Sequence, residues 1–201
     1  MDTEQATVNG NGTYTTPTGY VVTAAGHYQW TAIYNGNASD KNNNSATDND
    51  PDEEKFTTPQ APTQISTLAN PTGQITLGTT AVTLTDTATL TGGFNPGGSI
   101  SFTLTYNGNP VAGFPTSVPV NGNGTYGPVS YTLPSNGTTV VGTYLWHAHY
   151  TPDANNSAAD DNGSNESVTV NPASPTVVTT PNNTTIQLGG TATDSATLSG
   201  G

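Results

Sequence analysis

Apolar and polar residues alternate with period two along much of this chain, the pattern of strands that turn one face to a core. Ile100, Phe102, Leu104 and Tyr106 are interleaved with Ser101, Thr103 and Thr105. Tyr144, Trp146, Ala148 and Tyr150 form a second inward set, echoed by Tyr28, Trp30, Ala32 and Tyr34. Val168 with Val170 forms a third. Val82 with Leu84, and Ala88 with Leu90, predict a first pair of strands, and Tyr126, Val129, Tyr131 and Leu133 a middle strand or two with a bend. No amphipathic helix of useful length is visible. Turn signals separate the runs: Gly92-Gly93, Pro96-Gly97-Gly98, Asn107-Gly108, Asn121-Gly122, Asn136-Gly137 and Asn162-Gly163. Pro59 to Pro62 and Pro172 to Pro175 read as short stiff linkers, since proline lacks the amide donor that a ladder needs.

The pattern repeats. Val8-Asn9-Gly10-Asn11-Gly12-Thr13-Tyr14 recurs unchanged at Val120-Asn121-Gly122-Asn123-Gly124-Thr125-Tyr126. Gly26-His27-Tyr28-Gln29-Trp30-Thr31-Ala32-Ile33-Tyr34 matches Gly142-Thr143-Tyr144-Leu145-Trp146-His147-Ala148-His149-Tyr150. Glu54 matches Glu166, and Ile75, Leu77 and Gly78 match Ile186, Leu188 and Gly189. Asp86-Thr87-Ala88-Thr89-Leu90-Thr91-Gly92-Gly93 matches Asp194-Ser195-Ala196-Thr197-Leu198-Ser199-Gly200-Gly201. Ordered matches at nearly one spacing, about 110 residues, mark an internal duplication. That period suits a β-sandwich module.

These residues carry a resemblance. The run Asp86 to Gly93, Asn95-Pro96 with Phe102-Thr103-Leu104, Gly142-Thr143-Tyr144 with Trp146, Tyr150-Thr151-Pro152-Asp153-Ala154-Asn155-Asn156 and Glu166-Ser167-Val168-Thr169-Val170 resemble the bacterial immunoglobulin-like tandem repeats of large surface and secreted proteins. The resemblance covers 65–201 and a partial copy over 8–62. It implies an all-β fold of immunoglobulin-like β-sandwich repeats with a period of about 110 residues. It also implies an extracellular or cell-surface stalk or spacer, sometimes adhesive, with no catalytic site. The expected organisation is a partial repeat over 1–62 that lacks its first strands, a complete repeat over 63–175, and the first strands of a further repeat over 176–201. A half module leaves apolar faces and unpaired edges, both costly. Either the sequence is a window on a longer array, or the missing strands come from a neighbouring chain and polymerise it head to tail, or 65–84 turns back to complete the first copy.

Composition narrows the partners. Fourteen acidic residues face two lysines, Lys41 and Lys55, for a net charge of −12. Such a chain cannot displace counterions from nucleic-acid phosphates and has no polybasic patch for anionic lipid. No stretch approaches 18 apolar residues and no signal peptide follows Met1, so membrane insertion of this segment is not expected. Hydrophobic content is 31%, but the polar excess is Thr, Asn, Gly and Ser, which favour strands and turns rather than disorder. Cysteine is absent, which removes thiolate chemistry.

Candidate chemistry is sparse. Acidic and amide side chains cluster after each Tyr-Trp strand: Asp40, Asn42, Asn43, Asn44, Asp48, Asp50, Asp52, Glu53 and Glu54, then Asp153, Asn155, Asn156, Asp160, Asp161 and Asn162. Calcium takes six to eight oxygens, so Asp153, Asn155, Asp160 and Asp161 are the metal candidates, although the spacing matches no EF-hand loop. A solvated, highly charged turn is the preferred reading of them. No other cofactor is expected. His147 and His149 share an outward strand face, but Thr31 and Ile33 replace them in the first copy. Sequons stand at Asn11, Asn37, Asn43, Asn123, Asn136, Asn155, Asn162, Asn165, Asn182 and Asn183. Trp30 and Trp146 read as core residues, not a sugar platform. The central copy has no lysine for an isopeptide cross-link. No phosphate loop or Ser-His-Asp set is legible, and the chain is not expected to be an enzyme. The expected partners are copies of itself or adjacent repeats. The alternative is an adhesin that binds a glycan or a surface protein.

Overall fold

The structure, a computed structural model, describes residues 2–36, 42–52, 55–135 and 138–201. Asp40, Glu53 and Glu54 of the first acidic cluster, the sequons at Asn37 and Asn136, and the Asn136-Gly137 turn lie outside the described residues. The chain is all-β and divides into two compact units, one of residues 1–61 with 154–156, the other of 62–153 with 157–201.

The first unit holds β1 (Gly26–Gln29), β2 (Ala32–Tyr34), β3 (Ala46–Asp48) and β4 (Lys55–Thr58). They form two separate two-stranded antiparallel sheets, β1 with β4 and β2 with β3. No described residue between 2 and 61 is fully buried, so this part of the chain has strands but no core. Tyr28 stacks on Phe56 at 5.0 Å, and Tyr20 leans on Tyr28 at 5.7 Å.

The second unit begins with β5 (Gln64–Asn70), β6 (Gly73–Thr76), β7 (Thr83–Thr91), β8 (Ser99–Tyr106) and β9 (Asn109–Pro110). It continues with β10 (Thr116–Pro119), β11 (Gly124–Thr132), β12 (Gly142–Thr151), β13 (Ala159–Asp160) and β14 (Ser167–Asn171). One sheet runs β10-β8-β12-β14-β6, with β9 added to β8 and β13 to β12. Its β14–β6 pair is parallel. The other sheet is β11-β7-β5, antiparallel throughout. A lone hairpin follows, β15 (Thr176–Pro181) with β16 (Asp194–Ser199), exposed along its whole length.

In the second unit alternation placed the core, whereas Tyr28, Trp30, Ala32 and Tyr34, expected to face a core, are not buried. Ile100, Phe102 and Leu104 of β8, Tyr144, Trp146, Ala148 and Tyr150 of β12, Val168 and Val170 of β14, and Leu84, Ala88 and Leu90 of β7 belong to one buried cluster. Phe114 meets the Trp146 ring edge-on at 5.2 Å. Asn107 and Gly108 both take positive φ, 47° and 81°, in the tight turn that the Asn-Gly signal predicts between β8 and β9. The expected bend in β11 is a bulge: the register to β7 slips between Tyr126 and Val129. Gly127 sits there at φ 102°, where an added Cβ would come within 2.9 Å of the Asp86 carbonyl oxygen, so only glycine fits.

Two expectations need correction. The chain does not build immunoglobulin-like β-sandwich repeats. Every sheet is open, no strand pairing joins one sheet to the next among the described residues, and no sheet closes. The β11-β7-β5 sheet ends in two free edges, and β6 joins the longer sheet in parallel. Residues 65–84 do not complete the first copy either: β5 is committed to β7 and β6 to β14. Alternation fixes which face of a strand is buried, and it is silent on which edges meet.

What does recur is local pairing. Gly26↔Thr58 and Tyr28↔Phe56 reappear as Gly142↔Val170 and Tyr144↔Val168. Tyr34↔Ala46 does not recur in register: Tyr150 pairs with Ala159, one residue beyond Ala158, the counterpart of Ala46. Ile65↔Leu90, Thr67↔Ala88 and Ala69↔Asp86 reappear in the hairpin as Val177↔Leu198, Thr179↔Ala196 and Pro181↔Asp194. Trp146 and Trp30 thus share a sequence position but not an environment, one fully buried and the other half-buried. Trp146→Ala is expected to cost about 3–5 kcal/mol, the scale for truncating a large buried aromatic. Trp30→Ala should cost no more than about 1 kcal/mol, since its site has no core to lose. Urea denaturation of both variants checks this; equal losses would contradict the difference in burial.

Candidate functional site

The chemistry of the second unit gathers where β7, β12 and the segment before β14 meet. Asp86 points inward from the middle of β7, between Leu84 and Ala88, and is fully buried. Glu166 is fully buried one residue ahead of β14, and its carbonyl accepts the Trp146 N–H at 3.1 Å. That backbone bond fixes Glu166 beside β12. Asp161 is also buried: its Oδ2 accepts the Ala148 N–H and its Oδ1 the Gly163 N–H at 2.6 Å. Its own N–H donates to the Ala148 carbonyl at 3.1 Å, which prolongs the β12–β13 ladder.

Asp86 and Glu166 differ from Asp161 in one respect. As ionised groups, none of their four carboxylate oxygens accepts a well-formed hydrogen bond in the core. Burial pushes the Asp86 carboxyl up to about 7, and the neighbouring Glu166 charge pushes it the same way. Glu166 is also raised, first by burial, while the Thr67 hydroxyl opposes the rise. Two acids with no donor between them have a simple remedy: one shared proton makes Asp86 a donor to the Glu166 carboxylate. Both groups are sealed from solvent, so a proton held between them would exchange slowly with it. The buried Trp146 Nε1–H likewise has no partner.

Three of the four metal candidates chosen from sequence fall elsewhere. Asp153 Oδ2 accepts the Gly97 N–H at 2.7 Å, and Asn155 Oδ1 accepts the Ala25 N–H at 2.9 Å. Asp160 Oδ1 lies 2.7 Å from His149 Nδ1 and 3.8 Å from His147 Nε2, both rings on the exposed face of β12. Asp161 is the buried acceptor already described. Each of the four thus anchors a loop, the backbone or a histidine. Among the described residues no group of three or more His, Cys, Asp or Glu is arranged to hold a metal ion. The buried pair was passed over in the sequence, although the signal was present: period two turns Asp86 inward with Leu84, Ala88 and Leu90, and both acids recur in the duplication.

No protein-family model matches the chain, and no curated protein matches it. Among the described residues no helix is long and apolar enough to cross a membrane.

The raised acids set the sign of a pH dependence. Their folded-state affinity for protons exceeds that of the unfolded chain, so stability is greatest at acid pH. It falls as pH rises from the ordinary carboxylate range through about 7. Asp86→Asn, which is neutral and gives Glu166 an N–H donor, should flatten that slope. It should stabilise the protein at pH 8 by about 1–3 kcal/mol, the scale for relieving an unsatisfied buried acceptor. Thermal melts of both proteins from pH 5 to 8 decide it; parallel curves would mean that Asp86 does not hold the proton.

Proposed function

We propose that this chain is a non-catalytic structural module of an extracellular stalk or filament. One observation carries the reading: short pairings recur in matching register along the chain, β1–β4 as β12–β14 and β5–β7 as β15–β16. The Tyr14 hydroxyl accepts from Asn9 N–H and donates to the Gly10 carbonyl, each at 2.8 Å. The Tyr126 hydroxyl does the same with Asn121 and Gly122, at 3.0 and 2.5 Å. Tyr28 donates to the Ala24 carbonyl as Tyr144 does to Val140. A chain that repeats its scaffold down to tyrosine hydroxyls, with its strongest chemistry sealed inside, suits a spacer whose function is length. Net charge of −12 keeps such a module soluble and discourages nucleic acid.

A second reading, an adhesin for a glycan, has one observation in its favour. Tyr20, Tyr28, Trp30 and Phe56 line an open cavity of about 260 Å³ in the first unit, with Asp2 and Gln29 at its polar side. Aromatic faces beside carboxylate and amide groups are the chemistry that recognises sugar rings. Titration of the intact chain with a panel of oligosaccharides, read by tryptophan fluorescence and calorimetry, separates the two. The structural reading expects no saturable binding up to millimolar sugar. A saturable signal that Trp30→Ala abolishes and Trp146→Phe retains would replace it with the adhesin.

A further inference from the structure

The loop between β13 and β14 carries chemistry that neither the buried acids nor the repeated pairings use. Asn162, Gly163, Ser164 and Asn165 are exposed, and the chain is anchored on both sides of them. Ahead of them the buried Asp161 accepts the Ala148 N–H, and behind them the Glu166 carbonyl accepts the Trp146 N–H. Within the loop the Asn162 Oδ1 accepts two hydrogen bonds from Ser164, one from its N–H at 2.9 Å and one from its hydroxyl at 2.6 Å. The first bond makes an Asx turn. The second joins the hydroxyl of an Asn-x-Ser sequon to the amide of the same sequon. The Asn162 Nδ2 makes no hydrogen bond among the described residues, on a residue open to solvent.

The matching loop of the first copy has the turn without the acceptor. At the spacing that sets Glu54 against Glu166, Asp50, Pro51 and Asp52 stand where Asn162, Gly163 and Ser164 do. The Asp50 Oδ1 accepts the Asp52 N–H at the same 2.9 Å. The turn thus belongs to the loop, whereas amide nitrogen, small middle residue and hydroxyl come together only in the second copy. Other sequons are committed elsewhere. Asn123 is held at both atoms by Gly93, its Oδ1 accepting at 3.1 Å and its Nδ2 donating at 2.8 Å. Asn155 is half-buried with its Oδ1 on the Ala25 N–H, Asn156 after it is fully buried, and the Ser157 hydroxyl accepts the Thr63 N–H. The middle residue of the Asn165 sequon is Glu166, locked in the core. Asn11, Asn43 and Asn183 are exposed, but among the described residues no sequon hydroxyl bonds their amides.

We propose that Asn162 is the attachment site of an N-linked glycan, and that the folded second unit presents it to an oligosaccharyltransferase. The donor class is an oligosaccharide carried on a lipid diphosphate. The Asn162 Nδ2 attacks the anomeric carbon, and the new C–N bond forms as the sugar–phosphate C–O bond breaks. The lipid diphosphate leaves with that electron pair, and the amide gives one proton to a base of the transferase. Ser164 assists at the amide. An amide nitrogen is a poor nucleophile, because its lone pair is shared with the carbonyl. A hydroxyl donor on Oδ1 stabilises the negative charge that gathers there as the N–H proton leaves. Gly163 leaves room for the sugar, since nothing lies within 4 Å of where its Cβ would stand. A glycan here projects into water and leaves the core untouched. The site goes beyond the structural-module reading and does not depend on it, since transfer is indifferent to whether the module spaces or binds.

The probe is a purified single-subunit transferase that demands an acidic residue two positions ahead of the asparagine, supplied with its lipid-linked donor. Among the sequons only Asn155 and Asn162 meet that demand, through Asp153 and Asp160. The motif treats the two as equals, and only the fold separates them. The intact folded chain is incubated with the probe, and occupancy at each asparagine is read by mass spectrometry of its peptides. Asn162 is expected to be modified roughly tenfold more than Asn155 in the folded chain. Synthetic peptides spanning 151–159 and 158–167 should be modified to similar extents. Ser164→Ala should remove the Asn162 signal and Ser164→Thr keep it. Occupancy of Asn155 equal to that of Asn162 in the folded chain would overturn selection by the fold. Peptides that already favour Asn162 tenfold would overturn it too, because local sequence would then be the cause. A folded chain left unmodified at Asn162 would overturn the site itself. The module reading would still stand, because it fails on a different measurement, saturable sugar binding at Trp30.

Discussion

Tyr144, Trp146, Ala148 and Tyr150 stay dry because β12 is paired on one edge with β8 and on the other with β14, and because β7 sets Leu84, Ala88 and Leu90 in the same cluster. Burying a large apolar side chain is worth roughly 1.5–3 kcal/mol, so this one row holds a substantial share of what a small β unit can gather. The rest of the molecule answers to whether such a row is covered. In the second unit it is, and Trp146 is fully buried. In the first unit Tyr28 and Trp30 have the same sequence positions and Tyr28 the same β-partner register, but no described residue from 2 to 61 is fully buried. Strand pairing is therefore not sufficient: it satisfies backbone groups, and the apolar face still needs a second layer.

Into that dry cluster the fold places two acids. Their burial is unfavourable for charge, and the shared proton is the cheapest resolution available. The pair also restricts geometry. Glu166 is held by the Trp146 N–H to its carbonyl, and Asp86 by its place opposite Ala69 and Val129. A two-residue slip of β7 would keep the alternation of inward and outward residues intact, yet it would carry Asp86 away from Glu166 and strand both. Apolar alternation alone does not distinguish such slips, and a buried polar pair does. Asp194 occupies the matching position in the hairpin, opposite Pro181, but it is exposed there.

Much of this was legible in the residues. The strand phases of β7, β8, β12 and β14, the Asn107-Gly108 turn and the interruption of β11 follow from period two and from turn chemistry, both local. The closure that the resemblance implied did not follow, because which edges pair is decided by non-local contacts such as the parallel β14–β6 ladder, to which no local pattern points. The acidic residues show the same division. Asp153, Asn155 and Asp160 stand out by density, yet each anchors a loop, the backbone or a histidine. Asp86 and Glu166 do not stand out by density, and their character comes from burial, which Leu84-Thr85-Asp86-Thr87-Ala88 announces only once the strand phase is trusted.

The residues left uncovered are also of a particular kind. Tyrosine, tryptophan and phenylalanine crowd the face of the first unit, whereas Val177, Val178 and Leu198 mark the hairpin. Tyrosine and tryptophan tolerate water through their polar atoms and gain when covered, so a face built from them can wait in solution and still bind. The hairpin's exposed side chains are aliphatic instead. A net charge of −12 makes copies of the chain repel one another until salt shortens the reach of the field to about 10 Å or less, so any contact between such surfaces is opposed by charge and not held by it.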